Sequence, residues 1–318
     1  MTRHMAVMFA TSTLIAATSA TATPSYTVKT VQYPGDTFTQ LLGINNASTI
    51  AGFHGASVAQ GFVLTLPNTF TPQNFPGSAT SMTTAINNTG STAGIYVDTA
   101  GTSHGHTYVG GSYMTIDEPG TVFNQALGIN DGATTVGYSS ATDPTGLTGE
   151  VAYKQAAGVF TNLVLPSNVN SQAVGINNAG DIVGFYQPTS TTALGFLDVG
   201  GIISTVDPFG STFAQALGIS NKGEIVGSWL DAMGVTNGFV DIGGVITTFD
   251  VAGASSTVVN GVNDKGQLVG FYVDANGNTD GFVATLVPEP AVWTLMLTGL
   301  GGLGAALRSR RGVLATRA

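Results

Sequence analysis

The chain has 318 residues, 44 of them glycine, with 43% hydrophobic and only 8% charged side chains, which suffices for one large buried core and excludes a disordered chain. Between residues 23 and 287, four lysines face seventeen acids, a net charge of −13, and the other five basic residues lie in the end segments; this argues against a nucleic-acid partner. With no cysteine, disulfides, thiolate metal sites and a cysteine nucleophile are excluded.

In chain order, Met1-Thr2-Arg3-His4 precede small and apolar residues that end at Ala20-Thr21-Ala22, just before Pro24. A basic start, a short apolar run and an A-x-A site predict a secretory signal peptide over 1–22.

A ten-residue phrase then recurs. It opens at Gly43, Ala85, Gly128, Gly175, Gly218 and Gly261, in steps of 42, 43, 47, 43 and 43 residues. Each unit offers four short segments of β-branched and aromatic residues, separated by Asn, Asp, Gly and Pro, without helical periodicity. Asn177-Asn178-Ala179-Gly180, Ser220-Asn221-Lys222-Gly223 and Asn263-Asp264-Lys265-Gly266 read as hairpin turns. The repeated second-segment glycines Gly52, Gly94, Gly137, Gly184, Gly227 and Gly270 predict a bulge or a close backbone approach. A third-segment aromatic follows Gly61, Gly195, Gly238 and Gly281 as Phe62, Phe196, Phe239 and Phe282, with His106 and Val151 assigned to that position in the second and third units.

Four strands per repeat of this length make a propeller blade. The expected fold is therefore all-β: a six-bladed β-propeller over 23–287. Tyr26–Val31 matches a fourth segment and the body ends on a third, so the N-terminal strand is expected to complete the last blade. An open solenoid would have shorter rungs, and an outer-membrane barrel longer strands. Across residues 40–286 the units resemble the HAF-type extracellular repeat family, which carries a Gly-Ile-Asn phrase and a His-Ala-Phe or His-Gly-Phe element; here only His104-Gly105-His106 keeps a histidine. The resemblance implies an outside location and no known reaction.

Little in the repeats points to chemistry. His54, His104 and His106 are the histidines of the body, and His104 and His106 are read as projecting to opposite faces, unsuited to sharing a metal. Asp117, Asp207 and Asp250 repeat at one position and Asp98, Asp231 and Asp274 at another, a periodicity that suits turns better than a catalytic pair. Asp274-Ala275-Asn276-Gly277-Asn278-Thr279-Asp280 resembles half of a calcium loop, but its glycine falls at the fourth position and the closing Glu is missing, so it reads as a turn. No cofactor, metal or catalytic residue is predicted.

The final segment, 288–318, opens with Pro288-Glu289-Pro290 and continues with uncharged residues 291–307, about 25 Å as a helix, near the lower limit for crossing a membrane. Arg308, Arg310 and Arg311 follow and belong on the cytoplasmic side. Gly299-Leu300-Gly301-Gly302-Leu303-Gly304 matches a dinucleotide fingerprint but lacks the strand before it and the acid after it. The three parts together resemble the PEP-CTERM sorting signal of Gram-negative bacteria, which implies recognition and processing by an exosortase and a role in exopolysaccharide or biofilm. The expected protein is thus exported across the inner membrane to the surface or matrix. It would be a non-enzymatic structural or polysaccharide-binding component, with a propeller enzyme acting on polysaccharide as the alternative. Whatever it recognises is expected where the six copies differ.

Overall fold

The computed structural model describes residues 24–166 and 170–287. The predicted signal peptide and everything from Pro288 onward, including Glu289, Pro290, the 291–307 segment, Arg308, Arg310 and Arg311, lie outside them.

Six antiparallel sheets of four strands surround one axis. Strands are lettered A to D from axis to rim. The A strands are Thr39–Ile44, Thr80–Ile86, Phe123–Ile129, Asn170–Ile176, Ala214–Ile219 and Ser256–Val262, one per blade, numbered 1 to 6. Blade 6 takes its D strand from the start of the described chain: Tyr26–Val31 pairs with Thr279–Leu286, from Tyr26↔Leu286 to Val31↔Gly281. No α-helix occurs among the described residues; Pro208–Gly210 forms a single 3-10 turn.

The opening glycine of the phrase sits where the A strands converge. A Cβ on Gly43 would lie 3.0 Å from the Cα of Ala85, and one on Gly261 3.2 Å from the Cα of Gly43. The pairing of A with B slips by one residue in every blade, as between Leu41 and Gly43 or Ala216 and Gly218. Just before the bulge, an A-strand carbonyl comes close to the B-strand glycine. A Cβ on Gly227 would stand 1.9 Å from the Gln215 oxygen, and on Gly52 2.3 Å from that of Gln40. The bulge and the close approach predicted for one residue thus fall on two facing strands.

An aromatic ring from strand C covers each of these glycines. Phe62, His106, Tyr153, Phe196, Phe239 and Phe282 pair in register with Gly52, Gly94, Gly137, Gly184, Gly227 and Gly270. All six side chains are fully buried, each of the phenylalanines worth about 1.5–3 kcal/mol of burial. In the third blade the residue is Tyr153, not Val151. Val151 pairs with Ser139 and is exposed, because the B–C connection of this blade runs from Ala141 to Gly149 and displaces the register that sequence spacing implies. The remaining core lies between blades, where Val31, Leu41, Phe62, Val269 and Val283 join blade 6 to blade 1.

Candidate functional site

Two regions of the molecule bring polar groups together: the axial channel and the loops at the opposite, upper face. The channel is a cavity of about 180 Å³ walled by the A strands, with Leu42, Leu127, Val174 and Leu217 at four of the bulges and Thr84 and Asn260 at the other two. Thr84 Oγ1 donates to the Ala126 carbonyl at 2.8 Å and Asn260 Nδ2 to that of Leu41 at 2.9 Å, so the polar members tie neighbouring blades together.

At the lower mouth the A–B turns carry a double ring of hydrogen bonds. The first Asn of each turn divides its amide. Oδ1 of Asn45 accepts the Ala47 and Thr49 N–H groups of its own turn, while Nδ2 donates 3.0 Å to the Asn87 carbonyl of the next blade. Asn87, Asn130, Asn177 and Asn263 donate forward in the same way. The second ring is complete. Backbone N–H groups of Asn46, Asn88, Asp131, Asn178, Asn221 and Asp264 each donate to Oδ1 of the corresponding residue one blade on, at 2.7–2.9 Å. Asp131 and Asp264, three blades apart, additionally accept amide Nδ2 groups from both neighbours. Burial pushes these two carboxyls up, but the hydrogen bonds outweigh it and hold both below the usual carboxylate range. The mouth is a fastening whose acceptors are already engaged.

One stitch is missing. Ser220 keeps the turn, its Oγ accepting from Lys222 and Glu224, but it has no amide to reach blade 6. Ser220→Asn is expected to raise stability by about 0.5–1.5 kcal/mol, the net worth of one added hydrogen bond, as measured by chemical denaturation.

The upper loops hold the histidines. His54 Nδ1 lies 2.9 Å from Asp36 Oδ2, with its ring stacked 3.5 Å from Tyr33. His104 Nδ1 lies 2.7 Å from Asp117 Oδ2, and its Nε2 3.5 Å from Asp98. His104 and His106 share a face, contrary to the sequence reading: residues two apart in a strand point the same way, and both rings pack against Tyr96, at 4.8 and 6.1 Å. They still do not act together, since His106 is fully buried among Phe75, Tyr96 and Tyr113 with both ring nitrogens unpartnered.

His106 therefore occupies a phenylalanine position at a cost. Burial lowers its pKa to about 4. The unfolded chain takes up the proton near pH 6.5 and the folded one only near 4. Its contribution is thus complete above 6.5 and falls with pH across that window, by up to about 3 kcal/mol. His106→Phe should stabilise the protein by about 1–3 kcal/mol at pH 7 and remove this part of the acid loss, read from denaturation midpoints between pH 4 and 7.

Of the two sets of periodic acids one holds turns, whereas in the other Asp117 pairs with His104, Asp250 accepts the Gly238 N–H and the Asp207 side chain makes no cap hydrogen bond. Oδ1 of Asp98, Asp231 and Asp274 each accepts two backbone N–H groups of its own B–C loop. Asp280, the last member of the calcium-like stretch, instead lies in a strand and accepts from Gln32 at 2.6 Å. No group of three or more His, Asp or Glu among the described residues could hold a metal, and no helix among them is long and apolar enough to cross a membrane.

Like Asp280, Glu150 is a buried acid that breaks the pattern; it lies three residues before Tyr153, where the other blades have Ala59, Ser103, Ala193, Thr236 and Thr279. It is 8% exposed at the upper seam of blades 3 and 4. Gln172 Nε2 donates to its Oε2 at 3.0 Å, and Asn170 Oδ1 accepts its backbone N–H. Burial, opposed by the Gln172 bond, raises its pKa. Only the non-repeating character of this position could have flagged it, and the misplaced third aromatic concealed that.

No family model matches the sequence, and no curated protein matches it. Solved structures of similar fold include TolB from Acinetobacter baumannii (TM-score 0.51, 11% identity), over 78% of this chain and 63% of that one, so this chain spans less than two thirds of TolB. A gluconolactonase from Xanthomonas campestris aligns at TM-score 0.51 and 10% identity, over 79% of this chain and 88% of that one. Aleuria aurantia lectin, solved with Fucα1-6GlcNAc, aligns at 0.48 and 12%, over 78% and 96%. These likenesses are of fold alone.

Proposed function

We propose that this is an exported surface or matrix protein, a non-enzymatic propeller that binds polysaccharide or builds the extracellular matrix. The carrying observation is how the polar groups are engaged: the lower ring stitches blades together, and Asp98, Asp231 and Asp274 hold their own loops. That leaves a rigid scaffold with variable upper loops, a form suited to recognition. Delivery runs through residues 288–318, with Pro288, Glu289 and Pro290 as the exosortase motif and Arg308, Arg310 and Arg311 flanking the membrane segment. The N-terminal strand acts as the clasp that keeps blade 6 from presenting an open sheet edge.

Pull-down of the purified chain on isolated exopolysaccharide is the test. Retention with the glycan intact is expected; no retention at any salt concentration contradicts binding. One observation favours an enzyme as second reading, the buried, non-repeating carboxyl of Glu150 whose pKa burial raises. If the glycan is shortened and Glu150→Gln stops the shortening, the enzyme reading replaces the first.

A further inference from the structure

Both ends of the described chain leave the propeller on one face. Tyr26 pairs with Leu286, and Val287 N–H donates 2.8 Å to the Ser25 carbonyl, so the termini lie together at the end of a C strand in blade 6. The C strands of the other blades end on that same lower face, in the C–D hairpins. Beyond Val287 thirty-one residues follow, among them the uncharged stretch 291–307.

Four of those hairpins end in exposed β-branched side chains. Blade 4 turns through Val199-Gly200-Gly201-Ile202 and blade 5 through Ile242-Gly243-Gly244-Val245, with Val109 in blade 2 and Val159 in blade 3 at corresponding tips. Ile202 is 76% exposed, Val159 66% and Val245 55%. Charge divides the faces as well. Eleven of the seventeen acids lie in the upper loops or at the upper strand ends, with no lysine in those loops; the lower A–B turns set Lys222 and Lys265 against Asp131, Asp181, Glu224 and Asp264, and Asp198 and Asp241 fold back onto the glycines of their own hairpins, so the lower face is the less acidic of the two.

We propose that the lower face is a bilayer-seating surface: while the C-terminal segment holds the chain in a membrane, these apolar hairpin tips dip into the lipid interface. The proposal rests on reading 291–307 as a membrane segment. A tether leaving the lower face brings that face to the headgroups, where exposed Val and Ile gain burial and the acid-rich upper face is kept from anionic lipid. The upper loops then point outward, which is the orientation a matrix-binding face needs.

The absence of cysteine makes the test direct. The full chain is reconstituted in phosphatidylcholine–phosphatidylglycerol vesicles as single-cysteine variants Ile202→Cys and Val245→Cys below and Leu147→Cys and Met233→Cys above, each labelled with an environment-sensitive dye. All four residues are exposed, so the substitutions are expected to leave the fold intact, which circular dichroism of each variant checks. Emission from positions 202 and 245 is expected to shift to the blue and to be quenched by nitroxide lipids placed about 5–10 Å deep, with no change at 147 and 233. If the vesicles float with the protein and all four labels remain in water, the seating is wrong and the membrane segment stands. If the protein does not float, the membrane segment itself fails and the seating falls with it. Quenching at 147 or 233 in place of the lower pair reverses the orientation and also overturns the proposal.

Discussion

Gly227→Ala is expected to destabilise the protein by about 3 kcal/mol or more, because overpacking of this kind is costly when neither side can yield. The new Cβ would stand 1.9 Å from the Gln215 carbonyl oxygen and 2.7 Å from Cε1 of Phe239. On one side is backbone fixed by the A-strand bulge, on the other a ring with no exposure. Gly223→Ala is the matched control within the same phrase. Its φ of +81° strains an alanine, yet nothing lies within 4 Å of the added carbon, so the expected cost is about 1–2 kcal/mol. Denaturant midpoints of the two variants separate crowding from backbone strain. Equal losses would show that close approach is not what selects the strand glycine.

Removing residues 24–32 should cost still more. Val31 is buried against Leu41, Val269 and Val283, and the Tyr26 ring meets Phe249 edge-on at 5.3 Å. Losing Val31 alone forfeits about 1.5–3 kcal/mol, and the half-buried Tyr26 adds to it, before the six paired residues are counted. The Thr279–Leu286 strand would become an open edge and a template for association. The truncated chain is expected to unfold at lower denaturant and to aggregate, and a peptide of residues 24–32 should restore the monomer. A truncated chain of unchanged stability would show that the strand is an ornament on a ring already closed by the A strands.

The repeat spacing made the blades readable because each unit carries its own glycines and turn residues, and those signals are local. The turn role of Asn177 and Asn263 was equally readable, since Asn tolerates turn geometry wherever it sits. The forward donation from Asn45 Nδ2 to the Asn87 carbonyl was not, because it joins residues 42 apart whose proximity only the ring creates. The defect at Ser220 became meaningful only beside that ring. Tyr153 was missed for a different reason: the long Ala141–Gly149 connection moved the aromatic away from the glycine-based landmark, and Glu150, an acid that departs from the repeat, was displaced with it. His106 was legible as a substitution for Phe, but its two unpartnered nitrogens depend on Phe75, Tyr96 and Tyr113 closing around it.

The most direct test of an exported, sorted propeller is the mass and location of the mature chain. The full sequence and a variant with Pro288, Glu289 and Pro290 replaced by alanine are expressed in a Gram-negative host that carries an exosortase. The unaltered chain is expected at the surface or in the medium, shortened at both ends by loss of residues 1–22 and of the segment beyond the Pro-Glu-Pro motif, while the variant stays membrane-bound and longer. Identical masses and locations for the two would contradict the account.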